Sequence, residues 1–166
     1  MNVLFMPPFF VAALLLASGA ARGENRQIDM VIVEKAARQM MLMSGTETVR
    51  TYDIALGDSP VGHKQREGDE RTPEGRYILD WRNPNSAFHL SIHISYPNAN
   101  DRAAAASGGY SPGGDIMIHG QPNGFGWWSW LLQRIDWTDG CIAVTNADMD
   151  EIWDMVGNGT PIEIRP

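Results

Sequence analysis

Two residues in this chain have the types that acyl-transfer chemistry needs, and each sits in a segment suited to holding it. Cys141 is the only cysteine and His119 is one of four histidines. His119 ends a short apolar run, Asp115-Ile116-Met117-Ile118-His119-Gly120. Cys141 follows the tight turn Asp136-Trp137-Thr138-Asp139-Gly140 and precedes Ile142-Ala143-Val144. The nucleophilic form of cysteine is the thiolate, which is scarce at neutral pH for a free thiol of pKa about 8.5. An imidazole within hydrogen-bond reach can take the proton during attack. Glycine at 140 lets the backbone approach a substrate closely. The N–H groups of Asp139, Gly140 and Cys141 are then candidates for an oxyanion hole. Together these parts imply acyl transfer through a thioester, with Cys141 reacting faster than an ordinary thiol.

A single cysteine leaves an inert buried thiol, an intermolecular disulfide or a reactive thiol as the alternatives. The Thr-Asp-Gly-Cys turn and the distant Ile-His-Gly favour the reactive thiol. Other polar residues have plainer readings. His89 and His93 lie four apart, on one face if the segment is a strand. With Cys141 or His119 they would make a zinc site, but no pair has familiar finger spacing, so no metal is expected. His63 reads as a solvated loop histidine, and Asp69 and Glu74 as solvated loop charges. Arg71 is a candidate for binding a substrate carboxylate, which a planar guanidinium suits. Trp127 and Trp128 are candidate substrate contacts or a lid. Trp127 and Trp130 have the spacing of a short helix with Leu131.

The histidine and cysteine segments resemble the L,D-transpeptidase catalytic domain, or YkuD, family: Ile118-His119-Gly120 followed by Trp137-Thr138-Asp139-Gly140-Cys141-Ile142. The stretch Gly68 to Tyr77, with Thr72-Pro73-Glu74-Gly75, resembles a further family segment. The match runs from Ile28 to the C-terminus. Across Gly57 to Lys64, Glu67 to Pro73, Ser95 to Asn98 and Asp136 to Ala143 it looks closest to the YafK-like branch. The resemblance implies a β-rich catalytic domain, residues 28–166, with His and Cys facing a cleft and no cofactor. It implies peptidoglycan stem peptides as substrate, Cys141 as nucleophile, His119 as general acid/base and the Gly120 carbonyl as the group orienting His119. A transpeptidase is the first expectation. An L,D-amidohydrolase or carboxypeptidase, releasing a wall-linked lipoprotein or D-alanine, is the alternative. A non-catalytic wall-binding module is the third reading. One departure stands out: many members carry arginine two residues after the cysteine, where this chain has Ala143.

The elements that must position these residues follow from pattern. The chain has 166 residues. Residues 1–20 read as a signal peptide: Leu4 to Leu16 is mostly apolar, and Ser18 and Ala20 fit a small-x-small cleavage site. That run is shorter than the ~20 residues a spanning helix needs. The expectation is therefore an exported protein of the periplasm or cell envelope, without a membrane span after cleavage. Net charge is −7, and no Lys/Arg run exists, which argues against nucleic acid as a partner. Strands are expected at Ile28–Val33, Arg38–Met43, Thr48–Leu56, Arg76–Trp81, Ala87–Ser95, Ile116–His119 and Thr160–Ile164. Pro161 implies an edge or a strand start in the last of these. Residues 57–75 and 97–114 read as long loops, the former functional. One clear helix is expected after the cysteine, capped by Asn146 and ending near Val156. The fold expected is mainly β, with two packed sheets.

Overall fold

Strand β1, Met30–Glu34, shows how alternation sets the architecture. Val31 and Val33 are fully buried while their neighbours are partly covered, because successive strand side chains point to opposite faces. The computed structural model describes residues 27–124 and 128–166, so the segment read as a signal peptide lies outside the described residues. Strands β2 (Gln39–Ser44), β3 (Glu47–Asp53), β4 (Gly75–Ser86) and β5 (His89–Ile94) follow, then β6 (Met117–His119), β7 (Ile142–Ala143) and β8 (Thr160–Arg165). Helices are α1 (Ala99–Gly108), α2 (Ser129–Leu132) and α3 (Asn146–Met155).

The expected two sheets are one. Hydrogen bonding runs through all eight strands in the order β3-β2-β1-β8-β4-β5-β6-β7. Two pairs are parallel, β1 with β8 and β6 with β7, and the rest are antiparallel. The sheet curls until its two edges meet. Residues 54–56, read from sequence as the end of the third strand, and Gly57 after them leave β2 and bridge to the far edge. Ala55 pairs with Ala143 and Gly57 with Thr138. Amide bonds in both directions between Ala55 and Ala143, 2.9 and 2.8 Å, make the join.

The enclosed core includes Val31, Leu42, Leu79, Ile94, Ile118, Ile142 and Ile162, all fully buried. Burying each such side chain stabilises the fold by roughly 1.5–3 kcal/mol. Helix α3 covers the core with Met149 and Ile152. Its N-cap is Thr145, whose hydroxyl accepts from Asp148 N–H, one residue before the cap expected at Asn146. Pro161 is the second residue of β8, which lies between β1 and β4 rather than at an edge. Its missing N–H is tolerated because pairing with β1 begins only at Ile162.

The stretch 97–114 is not all loop, since it contains α1. A capping box starts that helix: Asn98 Oδ1 accepts from the Asn100 and Asp101 amides, and the Asp101 carboxylate accepts from Asn98 N–H. The Asn-x-x-Asp signal and the alanine run after it were visible in the sequence and outweigh the glycine content that suggested a loop.

Candidate active site

Pairing of β6 with β7 places the two candidate residues. Ile118 opposes Ile142 and His119 opposes Ala143. Ile118 and Ile142 point into the core, so Met117, His119 and Cys141 share the other face. Cys141 lies beside Met117, whose N–H donates to Sγ at 3.4 Å. Cys141 and His119 are therefore diagonal neighbours on adjacent strands. Both line a cleft of ≈ 230 Å³ together with Phe88, Ser91 and Trp137. A larger hollow of ≈ 690 Å³ beside Ile28 and Gly157 contains neither a thiol nor an imidazole.

His119 is 4% exposed. Its Nδ1 is 2.7 Å from the Gly120 carbonyl oxygen. That oxygen only accepts, so Nδ1 carries the proton and Nε2 is left with its lone pair. Gly120 is needed because a Cβ there would lie 2.6 Å from Asn146 Oδ1 and 2.9 Å from His89 Cβ. Phe88 and Trp137 pack on the imidazole with centroid separations of 4.7 and 5.8 Å. Burial pushes the imidazole below the usual histidine value, against the opposing effect of the Gly120 bond.

The Cys141 thiol donates to Asp115 O at 3.6 Å, not to the imidazole. Burial pushes the thiol up, and the Asp139 and Asp115 carboxylates add to this. The Met117 amide and Lys64 oppose it. Both directions favour the uncharged forms, thiol and imidazole. Burial thus opposes the ionisation that a fast-alkylating thiol needs.

The turn before Cys141 is held on three sides. Thr138 Oγ1 donates to Cys141 O at 2.7 Å and accepts from Gly140 N–H at 3.2 Å. The Trp137 and Thr138 amides both donate to Leu56 O. Gly140 has φ +113°, and a Cβ there would meet Arg71 O at 2.5 Å. Gly140 N–H is therefore engaged within the turn. Among the described residues, the Asp139 and Cys141 amides donate to nothing.

The loop 57–75 is tied down by charges that the sequence suggested were solvated. Lys35, 1% exposed, donates to Gly62 O, Thr72 O and Glu74 Oε1. Asp69 pairs with buried Lys64 at 2.9 Å. Burial raises the Asp69 carboxyl, but Lys64 and the amides of Gln65, Arg66 and Arg71 outweigh it and hold it below its ordinary value. His63 is no free loop histidine: Nδ1 accepts from Glu74 N–H, and Nε2 faces Asp101 at 3.2 Å. Arg71 is half-buried, with its backbone against the turn at Gly140 and its guanidinium beside Gly62. That guanidinium has no carboxylate partner among the described residues.

The remaining candidates lie elsewhere. Trp128 is 53% exposed and faces a hollow shared with Leu131 and Leu132, away from the cleft. Trp127 lies outside the described residues. His89 and His93 are separately engaged, with Asp150 and Asp80. Ala143 is fully buried at the join with Ala55. Sequence reasoning missed Phe88, Trp137 as a cleft wall, Thr138 as the brace of the turn, and Lys35. Trp137 sits in the quoted motif, so adjacency could have found it. Phe88 carries no local signal.

The L,D-transpeptidase catalytic domain model matches residues 28–164. YafK of Escherichia coli (strain K12) is 33% identical over 136 residues, covering 80% of this chain and 44% of that protein. This chain thus spans less than half the length of that relative. A variant of the helical cell shape determining protein Pgp2 from Campylobacter jejuni superposes with TM-score 0.65 at 26% identity, covering 83% of this chain and 47% of that one. An L,D-transpeptidase from Xylanimonas cellulosilytica superposes with TM-score 0.57 at 15% identity, covering 84% and 61%, and so shares the fold. By the extent of the family match and the identity to YafK, this chain belongs to the L,D-transpeptidase catalytic domain (YkuD) family.

Proposed function

We propose that this protein is an exported peptidoglycan L,D-transpeptidase that works through a Cys141 thioester on stem peptides. The observation that carries the proposal is the placement of Cys141 and His119 on one sheet face across the β6–β7 pair, with the imidazole tautomer fixed by the Gly120 carbonyl. That tautomer leaves Nε2 as the base. Sγ attacks the acyl carbon of the stem peptide's third residue as its proton passes to Nε2. The C–N bond to the terminal D-alanine then breaks, and Nε2–H returns the proton to the leaving amine. A second amine attacks the thioester by the same steps in reverse, which regenerates the thiol and forms a cross-link.

For attack, the thiol turns from Asp115 O toward the imidazole. The Asp139 and Cys141 amides hold the developing oxyanion, because Gly140 N–H already serves Thr138. Arg71, whose backbone meets the turn at Gly140 and whose guanidinium lies beside Gly62, outside the lining of the cleft, is the candidate partner for a substrate carboxylate. No step calls for a cofactor or metal. Among the described residues, no helix is long and apolar enough to cross a membrane.

The test is mass spectrometry of products formed from purified muropeptides and lipoprotein-bearing sacculi by the protein and by Cys141→Ala. Cys141-dependent tetra–tri or tri–tri dimers are expected. Shortened monomers or released lipoprotein without dimers would replace the transfer reading with an amidohydrolase. No Cys141-dependent product on either substrate would leave only a wall-binding module.

A further inference from the structure

A second feature shares the catalytic face of the sheet. Strand β4 carries a bulge between Leu79 and Arg82. Leu79 opposes Ile94 and Arg82 opposes Ile92, so Asp80 and Trp81 together face the single residue His93. Bulges of this kind re-aim a side chain. Here the Trp81 ring lies on the His93 imidazole, with centroids 4.8 Å apart and planes 17° from parallel. His93 Nδ1 is held 2.6 Å from Asp80 Oδ1. Trp81 remains 43% exposed even though one of its faces is covered by His93. The Asp80 side chain is 41% exposed. The result is a rigid aromatic platform flanked by a carboxylate that can still accept hydrogen bonds.

Its position relative to Cys141 follows from the register. His93 opposes Met117, and the Met117 amide touches Cys141 Sγ. Ser91, two residues before His93 on the same face, opposes His119 and lines the cleft. Two strand spacings therefore separate His93 from Cys141, about 10 Å. An extended peptide advances about 3.3–3.6 Å per residue. Three residues of stem peptide laid from Cys141 toward β4 would thus bring the sugar that carries the stem onto the Trp81 ring. Amphipathic rings with hydroxyls at the edge suit an indole face beside a carboxylate acceptor.

We propose that Trp81, Asp80 and His93 form a carbohydrate subsite that binds the amino-sugar ring bearing the stem peptide. Trp81 stacks on the ring, Asp80 accepts from its hydroxyls, and His93 positions both. The subsite extends the substrate reading given above and rests on it for the identity of the peptide. Its binding can nevertheless be measured without turnover.

The experiment is calorimetric titration of Cys141→Ala with the N-acetylglucosamine–N-acetylmuramic acid disaccharide, alone and as the disaccharide–tetrapeptide, against the free tetrapeptide. Trp81→Ala in the same background is expected to weaken disaccharide and disaccharide–tetrapeptide binding about tenfold, the scale of a lost aromatic stack. Free tetrapeptide binding is expected to stay unchanged. Trp81→Phe should retain most of the affinity and Asp80→Asn should lose part of it, which keeps the test decisive if the alanine variant misfolds. Disaccharide binding that is absent, or indifferent to all three substitutions, overturns the subsite. An equal loss on free tetrapeptide also overturns it, because Trp81 would then only support the cleft. Sugar binding that depends on Trp81 in a protein without Cys141-dependent turnover would uphold the subsite and refute the transpeptidase reading instead.

Discussion

Replacing Gly140 with alanine is expected to cost both stability and activity, and a second glycine separates the two causes. At φ +113° a side chain is strained by about 1–3 kcal/mol. The new Cβ would also sit 2.5 Å from Arg71 O and 3.2 Å from Arg71 C. The Arg71 carbonyl cannot easily retreat, because the preceding Glu70 carbonyl is pressed against Gly57, where a Cβ position is only 1.9 Å away. Overpacking of this kind adds about 1–3 kcal/mol, for a total of order 4 kcal/mol. Gly45 also has positive φ, +60°, but its Cβ position meets nothing within 4 Å. Gly45→Ala should therefore cost only about 1–2 kcal/mol. At about 3 °C per kcal/mol for a domain of this size, melting temperatures should fall by about 12 °C and about 3–6 °C respectively. If the turn yields instead, Cys141 moves, and a displacement near 1 Å costs about 10²-fold in turnover. The assays are thermal melting and Cys141-dependent product formation. A Gly140→Ala protein that melts within about 2 °C of Gly45→Ala and keeps its turnover would refute the wedge between Gly57 and Gly140.

Burial sets the pH response. Because His119 lies below its ordinary value of 6.5, the acid limb of kcat/KM should have its midpoint below pH 6.5, and the basic limb should lie above 9, where the raised Cys141 thiol ionises. A midpoint above 6.5 would contradict the buried neutral imidazole. The folded protein binds the His119 proton less readily than the unfolded chain does. That stability is therefore intact above pH 6.5 and lost as pH falls through the folded value, and His119→Gln should flatten this acid dependence in denaturant titrations. Lys35→Met leaves Glu74 and two carbonyls without their buried cation, so a loss of about 3–5 kcal/mol is expected by chemical denaturation. Thr138→Val removes both bonds of the turn brace and should cost about 1–3 kcal/mol, with a fall in kcat larger than any change in KM.

Sequence determined the parts of this protein that depend on neighbours along the chain. The alternation of Val31 and Val33, the hairpin to Gln39–Ser44 and the apolar run into His119 are local patterns with period two. The acidic start of α3 is likewise local, and the Thr-Asp-Gly-Cys turn with Ile-His-Gly carried the family. Tertiary structure decided what depends on residues far apart. Whether strands form one sheet or two is set by edge closure, and Ala55 meeting Ala143 is a pairing across 88 positions that no short window contains. Glu74 and His63 of loop 57–75 looked solvated because their partners, Lys35 and Asp101, lie outside it. Phe88 became a wall of the cleft, while Trp128 faced elsewhere, because the curl of the sheet chooses which aromatic reaches the imidazole. The protonation of the pair followed the same rule. The residue types named a nucleophile and a base, but burial pushes both toward the neutral form, since desolvation is a property of everything packed around a group rather than of the group itself.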